Sequence, residues 1–278
     1  MKIDGSRLER FAEKLRREER SPATVEKYRR ETARFAAWLD GREADRELAL
    51  AYKAELCASR APAGVNGAVA ALNRLFDVLG LPECRLKAVR VQRRIFRDEA
   101  RELTEQEYRR LLAAARARRS QRLLLLVMEA ICATGIRVGE LRFFTVEAAR
   151  LGRAEVCSKG KVRTVFLPRK LQRALLDYAK GQKITAGPVF VTRSGRPLDR
   201  SNIWHEMKAL CKDAGVAEGK VFPHNLRHLF ARAYYALERD IVRLADILGH
   251  SSIDTTRIYT MESGLTHRRQ LEKMRLVI

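Results

Sequence analysis

The chain has 278 residues, of which 46% are hydrophobic and 32% charged, as expected for a globular protein with room for two domains. Its formal net charge of +22 predicts a polyanionic partner, nucleic acid first and an anionic membrane second. No apolar run approaches the ~18 residues of a membrane span, and the N-terminus lacks the apolar core of a signal peptide. We therefore expect a cytoplasmic, nucleoid-associated protein that binds no membrane.

The five cysteines, at positions 57, 84, 132, 157 and 211, show no C-x-x-C or Cys/His spacing. Disulfides and zinc sites are therefore not expected, and reduced thiols fit a cytoplasmic protein. The sequence contains no P-loop or other nucleotide-binding motif, so we predict no nucleotide ligand and no cofactor.

Residues 1–82 are predicted to form a small helical domain. The first helix carries one apolar stripe at helical spacing, formed by Leu8, Phe11, Ala12 and Leu15. Ser21 supplies an N-cap and Pro22 the first residue of a second helix. A third helix is expected over residues 48–57 and a fourth from about residue 62 to residue 79. Four helices of this length predict a bundle.

Residues 83–101 break the helical periodicity and are predicted to link two domains. The segment is strongly basic, with Arg85, Lys87, Arg90, Arg93 and Arg94 as candidate DNA contacts. Charge of nearly one sign between two basic domains favours a linker that crosses a DNA backbone. A solvated connector without a DNA contact is the alternative interpretation.

A second domain is predicted over residues 102–260. Thr104 and Glu107 form a capping box ahead of an apolar-periodic helix. The next segment, RLLLLVMEAICATG, is apolar nearly all round and predicts a buried helix that ends at Gly135, after which a turn presents Arg137. Glu140 is expected to orient Arg137 or a helix end.

From residue 154 the hydrophobic pattern changes from the period of a helix to that of a β-strand. Residues 154–168, AEVCSKGKVRTVFLP, predict two short strands joined by a tight turn at Lys159, Gly160 and Lys161. Residues 189–198, VFVTRSGRPL, predict another strand and turn within a mostly helical region.

The stretch from Phe222 to Tyr259 contains residues suited to phosphate chemistry. His224 and Arg227 lie one helical turn apart on the same face, and His250 follows Gly249, nine residues before Tyr259. An arginine can hold two phosphate oxygens at once, and a histidine can exchange a proton near neutral pH. A tyrosine hydroxyl can attack phosphorus and become a covalent carrier.

The elements H-x-x-R, L-G-H and the terminal tyrosine, with T-G-x-R-x-x-E-L upstream, resemble the catalytic domain of the tyrosine recombinases, the phage integrase family. The segment SPATVEKYRRETARFAAWL is similar to the family's N-terminal core-binding domain. The resemblance implies a mainly α fold with a small β-hairpin (α+β), in which a helical, SAM-like core-binding domain and a catalytic domain clamp DNA. We expect no additional arm-binding domain before the bundle, which favours a short, Xer-like member.

The resemblance also assigns catalytic roles, to Arg137, Lys159, His224, Arg227, His250 and Tyr259. It makes Tyr259 the nucleophile that forms a 3′-phosphotyrosine, with both arginines on the non-bridging oxygens and Lys159 as general acid toward the 5′-oxygen. His224 would assist proton transfer at Tyr259, and His250 would donate a hydrogen bond to the phosphate. We interpret His228, about 100° from Arg227 around the helix, as structural.

The hairpin departs from the family's G-K-G-x-K-x-R pattern. Ser158 replaces the leading glycine and the turn is one residue shorter. Lys159 is the better match for the catalytic lysine, and Lys161 remains open as the alternative. Lys161 and Arg163 are also candidate DNA contacts.

The resemblance implies a metal-independent site-specific recombinase that acts on a double-stranded recombination site, in integration, excision or dimer resolution, as a synaptic tetramer. A type IB topoisomerase and a catalytically silent DNA-binding protein are the alternatives. The tail, residues 261–278, is expected either to pack on its own catalytic domain or to dock into a neighbouring protomer.

Overall fold

The computed structural model is mainly helical with one small antiparallel sheet, which confirms the predicted fold class. The structure describes residues 1–90, 99–158, 160–192, 194–261 and 264–274. It divides into two units, Met1–Arg93 and Arg94–Ile278. In the described part of the chain, no helix is both long and apolar enough to cross a bilayer.

The first unit contains four helices, in agreement with the sequence. They are α1 (Gly5–Arg17), α2 (Pro22–Leu39), α3 (Arg46–Ser59) and α4 (Pro62–Leu79). The side chains of Asp4, Ser21 and Asp45 accept hydrogen bonds from the first turns of α1, α2 and α3, which fixes where these helices begin. The predicted stripe of α1 is the buried side of that helix, since Phe11, Ala12 and Leu15 are fully buried.

The chain that follows α4 is held on that helix by two asparagines. The Asn73 amide donates to Leu86 O and accepts from Leu86 N, at 2.8 and 2.7 Å, and Asn66 pairs with Val89 in the same way. Asn66 and Asn73 are seven residues apart, which is about 10.5 Å along a helix. Leu86 and Val89 are three residues apart, which is about the same distance along an extended chain. The first part of the predicted linker is therefore anchored to the first unit.

The candidate DNA contacts in this segment are placed as follows. Arg85, Lys87 and Arg90 are exposed, and Arg85 forms an ion pair with Asp77. Arg93 and Arg94 lie outside the described residues. A contact of this segment with DNA stays a prediction.

The second unit is built from ten helices and one hairpin among the residues described. They are α5 (Glu105–Ala117), α6 (Arg122–Thr134), α7 (Val146–Leu151), β1 (Arg153–Ser158), β2 (Lys161–Phe166), α8 (Arg169–Gly181), α9 (Arg200–Ala209), α10 (Cys211–Ala214), α11 (Pro223–Glu238), α12 (Ile241–Leu248), α13 (Ile253–Thr256) and α14 (Gly264–Met274). The strands pair from Arg153 opposite Phe166 to Ser158 opposite Lys161.

The buried helix and the capping box of this unit confirm the sequence analysis. Thr104 N donates to Glu107 Oε2 at 2.8 Å, and Glu107 N donates to Thr104 Oγ1 at 3.2 Å. Helix α6 lies in the core and packs against α11, which carries His224 and Arg227. The strand predicted over residues 189–198 is wrong, because the described residues there form only an isolated bridge, Val191 to Pro197. A proline has no amide hydrogen to extend a ladder.

Candidate active site

Arg227 is the most buried cation of the site, with 1% of its surface exposed. Its Nη1 donates to Gly135 O at 2.5 Å, and its Nη2 donates to Leu248 O at 2.8 Å and to His250 Nε2 at 2.9 Å. Burial lowers the pKa of Arg227 to about 10, so the guanidinium keeps its charge at neutral pH. Arg227 thus joins the ends of α6 and α12 around one fixed positive charge.

Gly135 makes the close approach of these helix ends possible. Its φ is +66°, and a Cβ atom there would lie 2.5 Å from the Phe230 ring and 2.8 Å from Leu248. Only glycine avoids both the left-handed strain and the clash.

Glu140 fixes the second arginine of the site. Arg137 Nη1 donates to Glu140 Oε1 at 2.9 Å, and Arg137 N donates to Oε2 at 3.0 Å. Burial by itself would raise the pKa of Glu140, but the hydrogen bonds from Arg163 and Arg137 outweigh it and hold the pKa at about 2. The carboxylate is therefore always ionised and orients Arg137, as the sequence predicted.

Arg163 completes this network from strand β2. Its Nη1 and Nη2 donate to the two Glu140 oxygens at 3.1 and 2.8 Å, and its Nε donates to Ile247 O at 3.2 Å. With a side chain only 14% exposed, Arg163 ties the hairpin to α12, and its contact with DNA stays a prediction. Lys161, at the start of the same strand, is exposed. Lys159 lies outside the described residues.

His250 follows the left-handed C-cap Gly249 and makes two hydrogen bonds that fix its tautomer. Arg227 can only donate, so His250 Nε2 accepts from it and the ring proton is on Nδ1, which donates to Thr256 Oγ1 at 2.8 Å. Burial and the charges of Arg227 and Arg137 lower the pKa of His250 to about 4. In the free protein His250 is thus a neutral hydrogen-bond acceptor toward the arginine.

Tyr259 ends the 3₁₀ turn Arg257–Tyr259 and is 95% buried, with 5% of its surface exposed. Its ring lies parallel to His250 at 6.2 Å between centroids and edge-on to His228 at 5.0 Å. Burial raises the pKa of Tyr259, whereas the nearby charges of Arg227 and Arg137 lower it. The phenol is therefore protonated at rest beside a buried cation.

His228, interpreted from the sequence as structural, contacts two of the predicted catalytic residues. The ring contact of His224 is with His228, at 4.6 Å between centroids, and His228 in turn contacts Tyr259. The signal was present in the sequence, because His228 is four residues from His224 and so on the same helix face.

An open cavity of about 310 Å³ is bordered by Arg137, His224 and Arg227 together with Arg200. Arg200 begins α9, and sequence reasoning missed it because no motif connects it with the other residues. A second cavity, bordered by Lys161 and His250, shares Arg137 and Ser158 with the first. The two cavities are thus bordered by cations from four separate segments, which carry Arg137, Lys161, Arg200 and Arg227, and this suits a polyanion.

Comparison with known proteins agrees with this geometry. The sequence model of the phage integrase family matches residues 101–264. The chain belongs to the phage integrase family. The tyrosine recombinase XerA of Thermococcus kodakarensis is 30% identical over 281 residues, which cover 97% of this chain and 95% of that protein. This relationship confirms the predicted short, Xer-like tyrosine recombinase.

Solved structures of tyrosine recombinases share the architecture. A crystal structure of XerA recombinase, 26% identical, covers 98% of this chain and 99% of its own with a TM-score of 0.53. A λ integrase tetramer bound to a Holliday junction, 18% identical, covers 91% and 76% with a TM-score of 0.73. The latter likeness shows the fold.

Replacing Gly135 by alanine should lower the stability of this tyrosine recombinase. The added methyl group needs Phe230 and Leu248 to move, and the strained backbone would shift the carbonyl that binds Arg227. We expect the free energy of unfolding to fall by roughly 2–4 kcal/mol in urea denaturation. Gly139→Ala, at a position with no atom within 4 Å of the added Cβ, is the control and should cost less than about 1 kcal/mol. Equal losses in both variants would refute this role of Gly135.

The free protein should lose stability as the pH falls from 6.5 toward 4. The pKa values of His228 and His250 are about 4 in the folded chain, against an ordinary 6.5. The unfolded chain therefore binds more protons in this window, so the stabilisation is complete above pH 6.5 and declines below it. We expect about 2 kcal/mol per histidine between pH 7 and pH 4.5 in urea denaturation. His228→Phe should reduce this dependence, and an unchanged one would contradict the assignment.

Proposed function

We propose that this protein is a site-specific DNA recombinase that cuts and rejoins DNA through a 3′-phosphotyrosine at Tyr259. The observation that carries the proposal is the burial of this phenol against Arg227, at a surface where Arg137 and His224 also border a cavity. The family membership of the chain supports the same activity.

The chemistry follows from the positions of the cations. Tyr259 Oη gives up its proton with the assistance of His224 and forms a bond to phosphorus. At the same time the bond from phosphorus to the 5′-oxygen breaks, and that oxygen keeps the electron pair and takes a proton from Lys159. Arg227 and Arg137 would bind the non-bridging oxygens and stabilise their charge in the transition state. The new ester is similar in energy to the old one, so the reverse attack by a 5′-hydroxyl rejoins DNA. Every step uses side chains of this chain, and we propose that no metal ion takes part.

His250 would change its role when DNA binds. A DNA phosphate beside His250 brings a negative charge into a site that contains several positive charges. This negative charge favours the imidazolium form and so raises the pKa of His250. Once Nε2 carries a proton, it can donate to a phosphate oxygen, with Thr256 still holding Nδ1. Arg200 and Lys161, both exposed at the two cavities, would contact the neighbouring backbone phosphates.

We extend the proposal to assembly on DNA as a synaptic tetramer, in which the tail docks into a neighbouring protomer. Leu271 and Met274 of α14 are 54% and 55% exposed. A helix this short is marginally stable in water by itself, so its apolar side needs a protein surface to pack against. The λ integrase that shares the fold forms a tetramer on a Holliday junction.

The test uses a DNA duplex selected by its binding to the protein from a random-sequence library. A nick a few nucleotides to the 3′ side of the scissile phosphate lets the short fragment with the free 5′-hydroxyl diffuse away, so that the covalent complex accumulates. We expect a protein–DNA adduct on a denaturing gel, formed equally well in the presence of EDTA. No adduct on any selected sequence would overturn the proposal, and relaxation of supercoiled DNA without strand exchange would favour a topoisomerase.

The hairpin lysine should show the behaviour of a general acid. We expect Lys159→Ala to slow cleavage by about 100-fold or more, since an unprotonated 5′-alkoxide is a poor leaving group. Lys161→Ala is the matched control and should lose less than about fivefold, as a phosphate contact would. A 5′-bridging phosphorothiolate needs no proton to leave and should restore cleavage to the Lys159 variant. Equal defects without rescue would refute the assignment.

A further inference from the structure

His228 lies where it can act on the nucleophile. Its ring contacts His224 at 4.6 Å and Tyr259 at 5.0 Å between centroids, in both cases edge-to-face. The three rings form a continuous row from the exposed His224 to the buried Tyr259. No motif of the sequence analysis assigned His228 a part in the chemistry.

The buried Nε2 atom of His228 has no hydrogen-bond partner among the residues that the structure describes. A buried polar atom left unpaired costs about 1–3 kcal/mol. A phenylalanine of similar shape would make the same ring contacts without that cost. A packing role alone therefore does not explain a histidine here.

The hydroxyl of Tyr259 lacks a hydrogen-bond acceptor for its hydrogen among the described residues. Arg227 lies close enough for its charge to lower the pKa of the phenol, but a guanidinium can only donate and so cannot accept the hydroxyl hydrogen. The hydroxyl hydrogen then needs an acceptor, and the described residues supply no such hydrogen bond. The Nε2 atom of His228, in the ring that touches the phenol, has no hydrogen-bond partner in the described part of the chain and can accept a hydrogen bond in the tautomer that carries its proton on Nδ1.

We propose that His228 is a positioning residue for the nucleophile, whose Nε2 accepts the hydrogen bond of the Tyr259 hydroxyl and turns an oxygen lone pair toward the phosphate. This inference rests on the proposed function of Tyr259. His228 does not remove the proton as a base, because burial and the neighbouring charges lower its pKa to about 4, far below that of a phenol. Its neutral ring nitrogen fixes the direction of attack and leaves the proton to other groups.

The test compares three variants on the nicked duplex at saturating DNA. His228→Phe keeps the ring and removes the nitrogen. Gln places a polar atom near the Nε2 position, whereas Asn places one near Nδ1. We expect His228→Phe to melt at an equal or higher temperature and to bind DNA within about threefold of the wild type, while the cleavage rate falls about tenfold or more. The Gln variant should cleave at least about threefold faster than the Asn variant.

The outcomes separate this inference from the function on which it rests. If the wild type forms an adduct and His228→Phe cleaves as fast, the inference is overturned and the proposed function stands. Equal rates for the Gln and Asn variants would also overturn it, even if His228→Phe failed to fold. If the wild type forms no adduct at all, both fail.

Discussion

Tyr259→Phe is expected to bind DNA almost as tightly as the wild type and to form no covalent adduct. The change removes one oxygen from a side chain that is already 95% buried, so packing is kept. Affinity should come mainly from backbone phosphate contacts, which this residue does not supply before attack. We expect cleavage to fall below detection, by more than about 10⁴-fold, with a Kd within about threefold.

Tyr234→Phe is the matched control for this experiment. Tyr234 is a partly buried aromatic residue packed against a small hydrophobic cluster, so its variant loses a hydroxyl from the region of Tyr259. The buried members of this cluster are Ala231, Leu244, Leu248 and Tyr259. It should cleave at a rate near that of the wild type. A covalent adduct formed by Tyr259→Phe would show that another residue attacks the phosphate.

Arg227→Lys should cost both stability and cleavage. One ammonium cannot replace a planar fork that donates to Gly135 O, Leu248 O and His250 Nε2, so buried acceptors lose their donor. We expect the free energy of unfolding to fall by roughly 2–4 kcal/mol and cleavage by about 100-fold or more. Urea denaturation and single-turnover cleavage measure the two effects separately.

Arg137→Lys should reduce cleavage with little effect on stability. The Arg137 side chain is 39% exposed and makes its ion pair with Glu140 at the edge of the site. We expect its lysine variant to cost less than about 1 kcal/mol in stability, yet to lose cleavage by an amount comparable to the Arg227 variant. If Arg227→Lys left both stability and cleavage unchanged, the buried guanidinium would have no part in the site.

Local sequence signals predicted much of the fold. The capping box at Thr104 and Glu107 and the cap at Ser21 depend on residues within one helical turn, so the sequence alone reveals them. The same holds for the ion pair of Arg137 with Glu140, three residues apart. Interactions of this range do not need the tertiary structure to be recognised.

The interactions that connect distant segments could not be predicted in this way. Arg163 binds Glu140, 23 residues earlier in the chain, and the Ile247 carbonyl, and no local motif indicates either contact. Arg200 reaches the cavity from a helix without a motif. The anchoring of the predicted linker was also hidden, because Asn66 and Asn73 pair with its backbone and not with its side chains.

Identification of the atom that joins the protein to DNA would test the central claim most directly. The adduct formed on the nicked duplex would be digested with protease and nuclease and analysed by mass spectrometry. We predict a nucleotide 3′-phosphate on the peptide that contains Tyr259, with a free 5′-hydroxyl on the released strand. A nucleotide attached through its 5′-phosphate, or a modified residue other than Tyr259, would contradict the proposed mechanism.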